Sequence, residues 1–349
     1  MDFEKLNSLA ARLCDESMQS ARAKWDNVAK PLGSLGRLEE IVTQIAGIYG
    51  TPDVRVDKKG VLVLCGDNGV LAHGVAMTPG EVTAVMAEFI SDGRSSVCRM
   101  AEIAGANVIA VDMGMFRRVN AERLLDRRVS DGTNDFTIGA AMTREQALQA
   151  VNTGIELVKN CAEQGYKILA TGEMGIGNTT TSSAIAAVLL GRDPKEVTGR
   201  GVGLSDDGLS RKISAIEKAV LVNSPDRNDA LDVLQKLGGF DIAGLAGIFI
   251  GGAVYRIPII IDGFISSVSA LLAVKLCPRV ADFIFPSHLS AEPAGRMVLN
   301  ALGLEPFITA GMRLGEGTGA VCMFPLLDMA LSVYHTACTY ADIEKKTDL

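Results

Sequence analysis

The sequence has few aromatic side chains and no strongly basic segment. It holds one tryptophan and five tyrosines among 349 residues, and its formal net charge is −7 at pH 7. Proteins that follow a nucleic-acid backbone use clustered Lys and Arg side chains, and those that bind single strands stack the bases on aromatic rings. The shortage of both features argues against nucleic acid as a partner.

The sequence also lacks the residue spacings of zinc sites and of serine hydrolases. It has no G-x-S-x-G elbow and no C-x-x-C pair, and its three histidines are far apart. The seven cysteines are widely spaced, at positions 14, 65, 98, 161, 277, 322 and 338. We therefore expect no metal ion and no cofactor, and we expect reduced thiols in a cytoplasmic protein.

No hydrophobic run is long enough to cross a membrane. The most apolar segment, residues 242–255, ends at Arg256. It is shorter than the roughly 18 apolar residues that indicate a spanning helix. The amino terminus carries acidic residues, unlike a secretory signal. The sequence predicts no membrane association.

Glycine, in contrast, is abundant, with 37 residues, and many glycines follow short apolar runs that lead into helical patterns. This alternation predicts an α/β fold, with a mostly parallel sheet flanked by helices in a Rossmann-like large domain. Residues 61–320 should form that domain. Residues 1–60 and 321–349 show only helical patterns, which indicates a small helical domain or a dimer surface. The predicted strands include 61–65, 108–112, 168–170, 257–261, 283–285 and 307–309.

The segment TGEMGIGNTTTS, at 171–182, nearly matches the G-x-x-x-x-G-K-[ST] loop that binds nucleotide phosphates. Asn178 stands where that loop has its lysine. Gly175 and Gly177 lead into a helix predicted over 179–190, whose free N–H groups favour an anion. Without the lysine, the site suits one monophosphate better than a triphosphate with Mg²⁺. The alternative is a tight strand-to-helix turn with no ligand.

A second glycine-rich loop, GRGVGLSDDGLSRK, covers residues 199–212. Gly201 and Gly203 lie in its G-x-G-x-G core, which by itself is a weak signal. Lys212 could supply the positive charge that the first loop lacks. The alternative for Lys212 is an ordinary solvated position on a helix.

Polar side chains also follow the later predicted strands. Asp262, Ser290 and Glu292 offer carboxylate and hydroxyl groups suited to ribose, although each could instead cap a helix or a turn. Glu316 lies between two glycines in GMRLGEGTGA, just before an apolar helix. A partly desolvated carboxylate in such a loop is a candidate general base, and the alternative is a helix cap.

These motifs together resemble the nicotinate-nucleotide:dimethylbenzimidazole phosphoribosyltransferase family. The resemblance extends in order over nearly the whole chain. It rests on KPLGSLGRLEE, GDNGVLAHGV, TGEMGIGNTTTSSA, GLSRK, GGFDIAGLAG, DGFISS, HLSAEPAG and RLGEGTGA. The family moves phosphoribose from nicotinate mononucleotide to an aromatic base, for the lower ligand of cobamides. It uses no metal and forms a homodimer.

The resemblance implies a role for each motif residue. Glu316 would be the catalytic base, Lys212 would bind phosphate, and Asp262 and Ser290 would lie near the ribose. The full phosphoribosyl-binding set would be Glu173, Gly175, Gly177, Asn178, Gly201, Gly203, Lys212, Asp262 and Ser290. The base pocket would be formed by Ala76, Met77, Thr78, Gly80 and Leu314.

The sequence departs from the common family pattern beside the base. Members commonly read D-H-G-V and V-S-A-Y-P-Q-E-V, whereas this chain reads DNGV and VAMTPGEV. Ala76, Thr78 and Gly80 therefore replace a serine, a tyrosine and a glutamine. Two alternatives stay open: a phenol- or p-cresol-accepting subunit that pairs with a paralogue as a heterodimer, and a non-catalytic supporting subunit.

Overall fold

The computed structural model describes residues 1–201 and 203–347. Within them the chain forms six strands that join in one parallel sheet, in the order β3-β2-β1-β4-β5-β6. The strands are β1 Lys59–Gly66, β2 Ala106–Gly114, β3 Leu125–Asp126, β4 Ile168–Met174, β5 Ile259–Ile261 and β6 Ile284–Pro286.

Helices alternate with these strands and cover the sheet. In the described residues they are α1 Phe3–Leu9, α2 Asp15–Asn27, α3 Arg37–Tyr49, α4 Glu81–Ser91, α5 Ser96–Ala104, α6 Arg144–Glu163, α7 Asn178–Leu190, α8 Pro194–Val197, α9 Asp206–Asn223, α10 Ala230–Leu237, α11 Phe240–Tyr255, α12 Phe264–Leu276, α13 Gly295–Ala301, α14 Thr318–Val321, α15 Met323–Thr336 and α16 Tyr340–Thr347. The predicted α/β class with a parallel sheet is confirmed.

The central strand β1 is buried along all eight residues, as expected for a parallel strand with helices on both sides. It pairs with β2 on one side and β4 on the other. The strand order reverses at β1 and β4, and in open parallel sheets the crevice beyond the strand ends at such a point is where ligands bind.

One predicted strand is not observed, and one observed strand was not predicted. The prediction of a strand at 307–309 is wrong, because this segment makes only one isolated parallel bridge, between Ile308 and His288. The two-residue strand β3 was not predicted, because it lies in a polar stretch without apolar alternation.

The apolar segment at 242–255 lies within α11, which is almost entirely buried. Its glycines allow close packing on α6: a side chain at Gly154 would collide with the Gly244 carbonyl, and one at Gly247 with the Val151 carbonyl. Part of the glycine content therefore serves helix packing. Among the described residues no helix is long and apolar enough to span a membrane.

The amino- and carboxy-terminal helices lie against each other. The Trp25 ring lies 4.9 Å from the Tyr334 ring, centroid to centroid, and Val28 forms an antiparallel bridge with Thr339. The two ends of the chain thus form one helical layer. The exact domain limits at 60 and 320 stay a prediction.

Candidate active site

A cavity of about 300 Å³ opens beyond the carboxyl ends of the central strands. It brings together residues that are far apart in the sequence. Of the predicted residues, those that line it are Thr78, Glu173, Gly175, Asn178, Gly201, Asp262, Ser290, Glu292, Leu314 and Glu316. Gly203 lines a neighbouring cavity of about 760 Å³.

The glycine loop after β4 passes close under the end of β1. A side chain at Gly175 would collide with the Gly66 carbonyl, so only glycine fits there. Gly177 has a φ of 93° in the left-handed region and is the residue before the first turn of α7. The predicted helix over 179–190 is observed as α7, and its amino terminus faces the cavity. This geometry favours an anionic group at the start of α7.

Asn178, at the position of the P-loop lysine, turns inward. Its side chain is buried, and its amide nitrogen donates hydrogen bonds to a Glu173 carboxylate oxygen and, over 3.0 Å, to Oδ2 of Asp241. The amide therefore bridges two carboxyl groups. A side-chain contact between Asn178 and phosphoribose stays a prediction.

The pKa values of the two bridged carboxyl groups, Glu173 and Asp241, are both raised. Burial, together with the charge of Asp241, raises the pKa of Glu173 to about 8, and burial raises the pKa of Asp241 to about 6. The pair therefore tends to hold a proton near neutral pH, and Glu173 is the more readily protonated partner. Sequence reasoning missed Asp241, although it is the one charged residue in the otherwise apolar α11, and that isolation is a usable signal.

Glu316 has an unusual backbone conformation. Its φ is 59°, and the glycines on both sides also have positive φ, 88° at Gly315 and 92° at Gly317. The loop fits against β4 because Gly172 has no side chain, and a Cβ there would collide with the Glu316 carbonyl. A non-glycine residue in the left-handed region costs about 1–3 kcal/mol, and such residues cluster at functional sites. The strain supports Glu316 as a functional residue.

Asp262 holds the segment that follows Glu316. Its Oδ2 accepts a hydrogen bond of 3.2 Å from the Gly317 N–H, and its Oδ1 accepts one of 3.0 Å from the Ala320 N–H. Burial raises its pKa, and the nearby His288 imidazole opposes that shift. Both carboxylate oxygens of Asp262 thus accept hydrogen bonds from backbone N–H groups at the start of α14. These bonds fix the segment that directly follows Glu316. Its contact with ribose stays a prediction.

Lys212 lies inside the protein, next to the first turn of α7. Its side chain is fully buried, and its Nζ donates to Thr179 Oγ1 over 2.8 Å and to the Gly199 carbonyl over 3.1 Å. Burial lowers its pKa to about 8. Thr179 and Gly201, which line the cavity, lie next to the ammonium. The alternative of a solvated Lys212 is excluded.

The predicted base pocket is only partly assembled. Thr78 and Leu314 line the cavity beside two apolar side chains of α4, Val82 and Met86. The other members of the predicted set, Ala76, Met77 and Gly80, are not among the residues that line the cavity. Met77 points to solvent, Ala76 is half-buried, and Gly80 packs next to Leu71.

The described residues contain no group of three or more His, Cys, Asp and Glu side chains placed to hold a metal ion. The carboxylates of the site instead interact through amide and backbone N–H groups.

Comparison with known proteins identifies the family. A model of a phosphoribosyltransferase family matches residues 11–344. This chain belongs to that family. A nicotinate-nucleotide–dimethylbenzimidazole phosphoribosyltransferase of Acetivibrio thermocellus is 47% identical over 98% of this chain and 97% of the relative. One of the same name from Ruminiclostridium cellulolyticum is 44% identical over 98% and 97%.

A solved structure of the phosphoribosyltransferase family has the same fold. The crystal structure of CobT from Thermus thermophilus matches with a TM-score of 0.89 and 36% sequence identity, covering 94% of this chain and 98% of that one. The family resemblance deduced from the motifs is therefore confirmed over nearly the full length.

Proposed function

We propose that this phosphoribosyltransferase moves phosphoribose from nicotinate mononucleotide to an aromatic base of the 5,6-dimethylbenzimidazole type. The products are nicotinate and an α-ribotide for the nucleotide loop of cobamides. The observation that carries the proposal is Glu316, a buried carboxylate on a strained loop that faces the glycine loop across one cavity. The names of the relatives supply the two substrates.

The phosphate of the donor would bind where α7 begins. Gly175 lets the loop pass close to the end of β1, and the left-handed Gly177 leads the chain into α7, whose dipole favours negative charge at its amino terminus. The Lys212 ammonium has three donors and uses two of them on Thr179 and Gly199. The third N–H of the ammonium remains for a phosphate oxygen. The N–H now bonded to Thr179 would add a second contact if that bond were released.

The reaction needs a base but no acid for the leaving group. In nicotinate mononucleotide the ring nitrogen bonded to C1′ is cationic, so nicotinate leaves as the C1′–N bond breaks and the bond electrons return to the ring. A nitrogen of the incoming base forms the new bond to C1′ from the opposite face, which converts the β-linkage to an α-linkage. Glu316 accepts the proton that the incoming base loses. The N–H groups of the glycine loops hold the phosphoribosyl group through its phosphate while positive charge builds on the sugar.

The acceptor would lie at the end of the cavity near α4. Val82, Met86 and Leu314 offer an apolar surface to a flat ring, and Thr78 offers one hydroxyl. A dimethyl-substituted ring buries more apolar area on this surface than an unsubstituted one, at about 25 cal/mol per Å². This favours the dimethylbenzimidazole type over a small phenol.

We also propose a dimer that works in the cytoplasm. The seven cysteines are widely spaced along the chain and form no C-x-x-C pair, a pattern that supports a reducing compartment. Ile103, Ile138 and Leu221 are large apolar side chains that are at least three-quarters exposed, which suits a subunit contact. Light scattering after gel filtration of the purified chain measures the mass, and a monomeric mass would contradict the dimer.

An acceptor panel tests the proposed function. The purified chain is incubated with nicotinate mononucleotide and, in separate reactions, dimethylbenzimidazole, adenine, phenol or p-cresol, and the ribotide is measured by mass spectrometry. We expect the highest kcat/KM with dimethylbenzimidazole, and ribotide formation about 10²–10⁴-fold slower with Glu316→Gln protein prepared in the same way. A preference for phenol or p-cresol would replace the proposed acceptor. No ribotide from any acceptor would indicate the non-catalytic subunit.

A further inference from the structure

The Glu316 carboxylate meets the amino terminus of a helix far away in the sequence. Helix α5 begins at Ser96, and the residue that caps it is Ser95. The backbone N–H of Val97 donates a hydrogen bond of 3.4 Å to Glu316 Oε2, and the Ser95 hydroxyl also interacts with this carboxylate. Ser95, Val97 and Glu316 are all buried.

The contact takes the place of an ordinary helix cap. A capping serine normally accepts a hydrogen bond from the second or third N–H of its own helix. The Ser95 side chain makes no such bond, although its backbone angles of −76° and 171° are those of a cap. The N–H that is left over, at the second position of α5, is that of Val97, and the Glu316 carboxylate accepts from it. Glu316 therefore caps α5 from another part of the chain.

Packing keeps the two parts together. Helix α14 begins two residues after Glu316 and lies against α5. The Ser95 Oγ also lies 3.3 Å from the Cys98 sulphur, and the Cys98 thiol donates to the Ile90 carbonyl. The single proton of the hydroxyl can turn either to the sulphur or to the Glu316 carboxylate. The hydroxyl thus lies between a weak acceptor, the sulphur, and a strong one, the carboxylate.

We propose that Ser95 and the amino terminus of α5 position the Glu316 carboxylate and stabilise its ionised form, so that it is ready to accept the proton of the incoming base. Ser95 is then a positioning residue for the transfer. This inference rests on the proposed function, in which Glu316 is the base.

The electrostatic reason is a balance of opposing effects. Burial raises the pKa of Glu316, and the Asp262 charge adds to that effect, whereas the hydrogen bonds from Val97 and Ser95 lower it. A positive helix end and two donors favour the carboxylate over the carboxylic acid. The other titratable or charged groups around Glu316 are Cys65 on β1, Cys98 on α5, Glu173 on β4, His288 after β6 and Arg313 on its own loop. The Ser95 variants leave all of these side chains in place, and only the control variant Cys98→Ala replaces one of them.

The first test measures the Glu316 pKa without any substrate. Difference infrared spectra between the native chain and Glu316→Gln isolate the Glu316 carboxyl band, which is followed as a function of pH. The same difference is taken between Ser95→Ala and the double variant Ser95→Ala with Glu316→Gln. We expect Ser95→Ala to raise the pKa of Glu316 by about one pH unit, because it removes one hydrogen bond to a charged group. An unchanged pKa would overturn the proposal.

The second test uses the pH dependence of ribotide formation. In Ser95→Ala the acid limb of kcat/KM should move to higher pH by the same amount, giving about a tenfold loss on that limb. The alkaline plateau should stay within about threefold, since the base is intact once it is ionised. Ser95→Thr, which keeps the hydroxyl, should restore the native limb, and Cys98→Ala should leave it in place.

The outcomes separate this inference from the proposed function. A plateau that falls in Ser95→Ala while the acid limb stays at its native pH would indicate a merely structural role and overturn the inference. A native chain that forms no ribotide would overturn the function instead, and the infrared titration would still decide whether Ser95 controls the Glu316 pKa.

Discussion

Glu173 and Glu316 are two glutamates in one cavity with the same small exposure, 7% each, yet their surroundings differ. Glu173 lies on the regular strand β4, beside the Asp241 carboxylate and the Asn178 amide. Glu316 lies on a left-handed loop, against the amino terminus of α5. Burial penalises both charges, but only Glu316 has a helix end to offset the penalty.

This difference gives the two carboxyl groups different tendencies to ionise. Glu173, whose pKa is about 8, favours its protonated form because burial penalises its charge and because ionising it would place two negative charges on either side of Asn178. Glu316 ionises more readily because donors face it. A base must be unprotonated before the reaction, so these surroundings support the proposal that Glu316 takes up the proton and that Glu173 serves as a hydrogen-bonding group. Residue type and burial alone could not have separated them.

The largest effect is expected at Glu316. Glu316→Gln keeps the shape and can still accept from the Val97 N–H, but it cannot take up a proton. We expect kcat to fall by about 10²–10⁴-fold, while the dissociation constant of nicotinate mononucleotide stays within about threefold. Steady-state kinetics and calorimetry measure the two quantities. Near-native turnover in this variant would end the assignment of Glu316 as the base.

The next effect is expected at Lys212, which lies away from both glutamates and is proposed to bind the phosphate of the donor. Lys212→Ala should weaken binding of nicotinate mononucleotide by about 1.5–3 kcal/mol, because a charge-assisted hydrogen bond to phosphate is lost. Nicotinate riboside, which has no phosphate, provides the control ligand and should lose little. Calorimetry with both ligands decides the matter, and equal losses would remove Lys212 from the phosphate site.

Glu173→Gln separates the two glutamates by kinetics. The amide resembles the protonated acid that the buried pair favours at neutral pH, and its oxygen can still accept from Asn178. We therefore expect a kcat loss at neutral pH at least about tenfold smaller than that of Glu316→Gln. Asp241→Asn, which removes the charge behind Glu173, is the matched variant. If Glu173→Gln were as inactive as Glu316→Gln, Glu173 would have to act in its ionised form.

The same glutamate should also change how the stability of the fold depends on pH. Its pKa is about 8 in the folded chain against an ordinary value of 4.5, so the folded state holds more protons between these values. This group's contribution is therefore fully present below about pH 4.5 and is lost as the pH rises to about 8. Urea unfolding at about pH 5.5 and about pH 8.5 should show a larger decrease in the free energy of unfolding for the native chain than for Glu173→Gln. Equal decreases would contradict the raised pKa.

The sequence by itself determined the class of fold and the main candidates for the site. Continuous apolar runs such as 61–65 predict buried parallel strands, because such strands need no polar face. The glycines around Glu316, and those at 175 and 177, indicated places where the backbone must turn or approach closely, and the structure has positive φ or close contacts at these positions. These signals are local, so they can be recognised without knowing what lies across the fold.

Only the tertiary structure decided the partners of each charged group. Asn178 meets Asp241, 63 residues away, and Glu316 meets Val97, 219 residues away. Such contacts depend on how strands and helices are arranged, and no local propensity encodes that arrangement. Whether a glutamate keeps its proton is set by the charges and donors that packing brings within a few ångströms of it. The different surroundings of Glu173 and Glu316, from which we propose their different roles, are therefore a property of the fold, although both residues could be selected from the sequence.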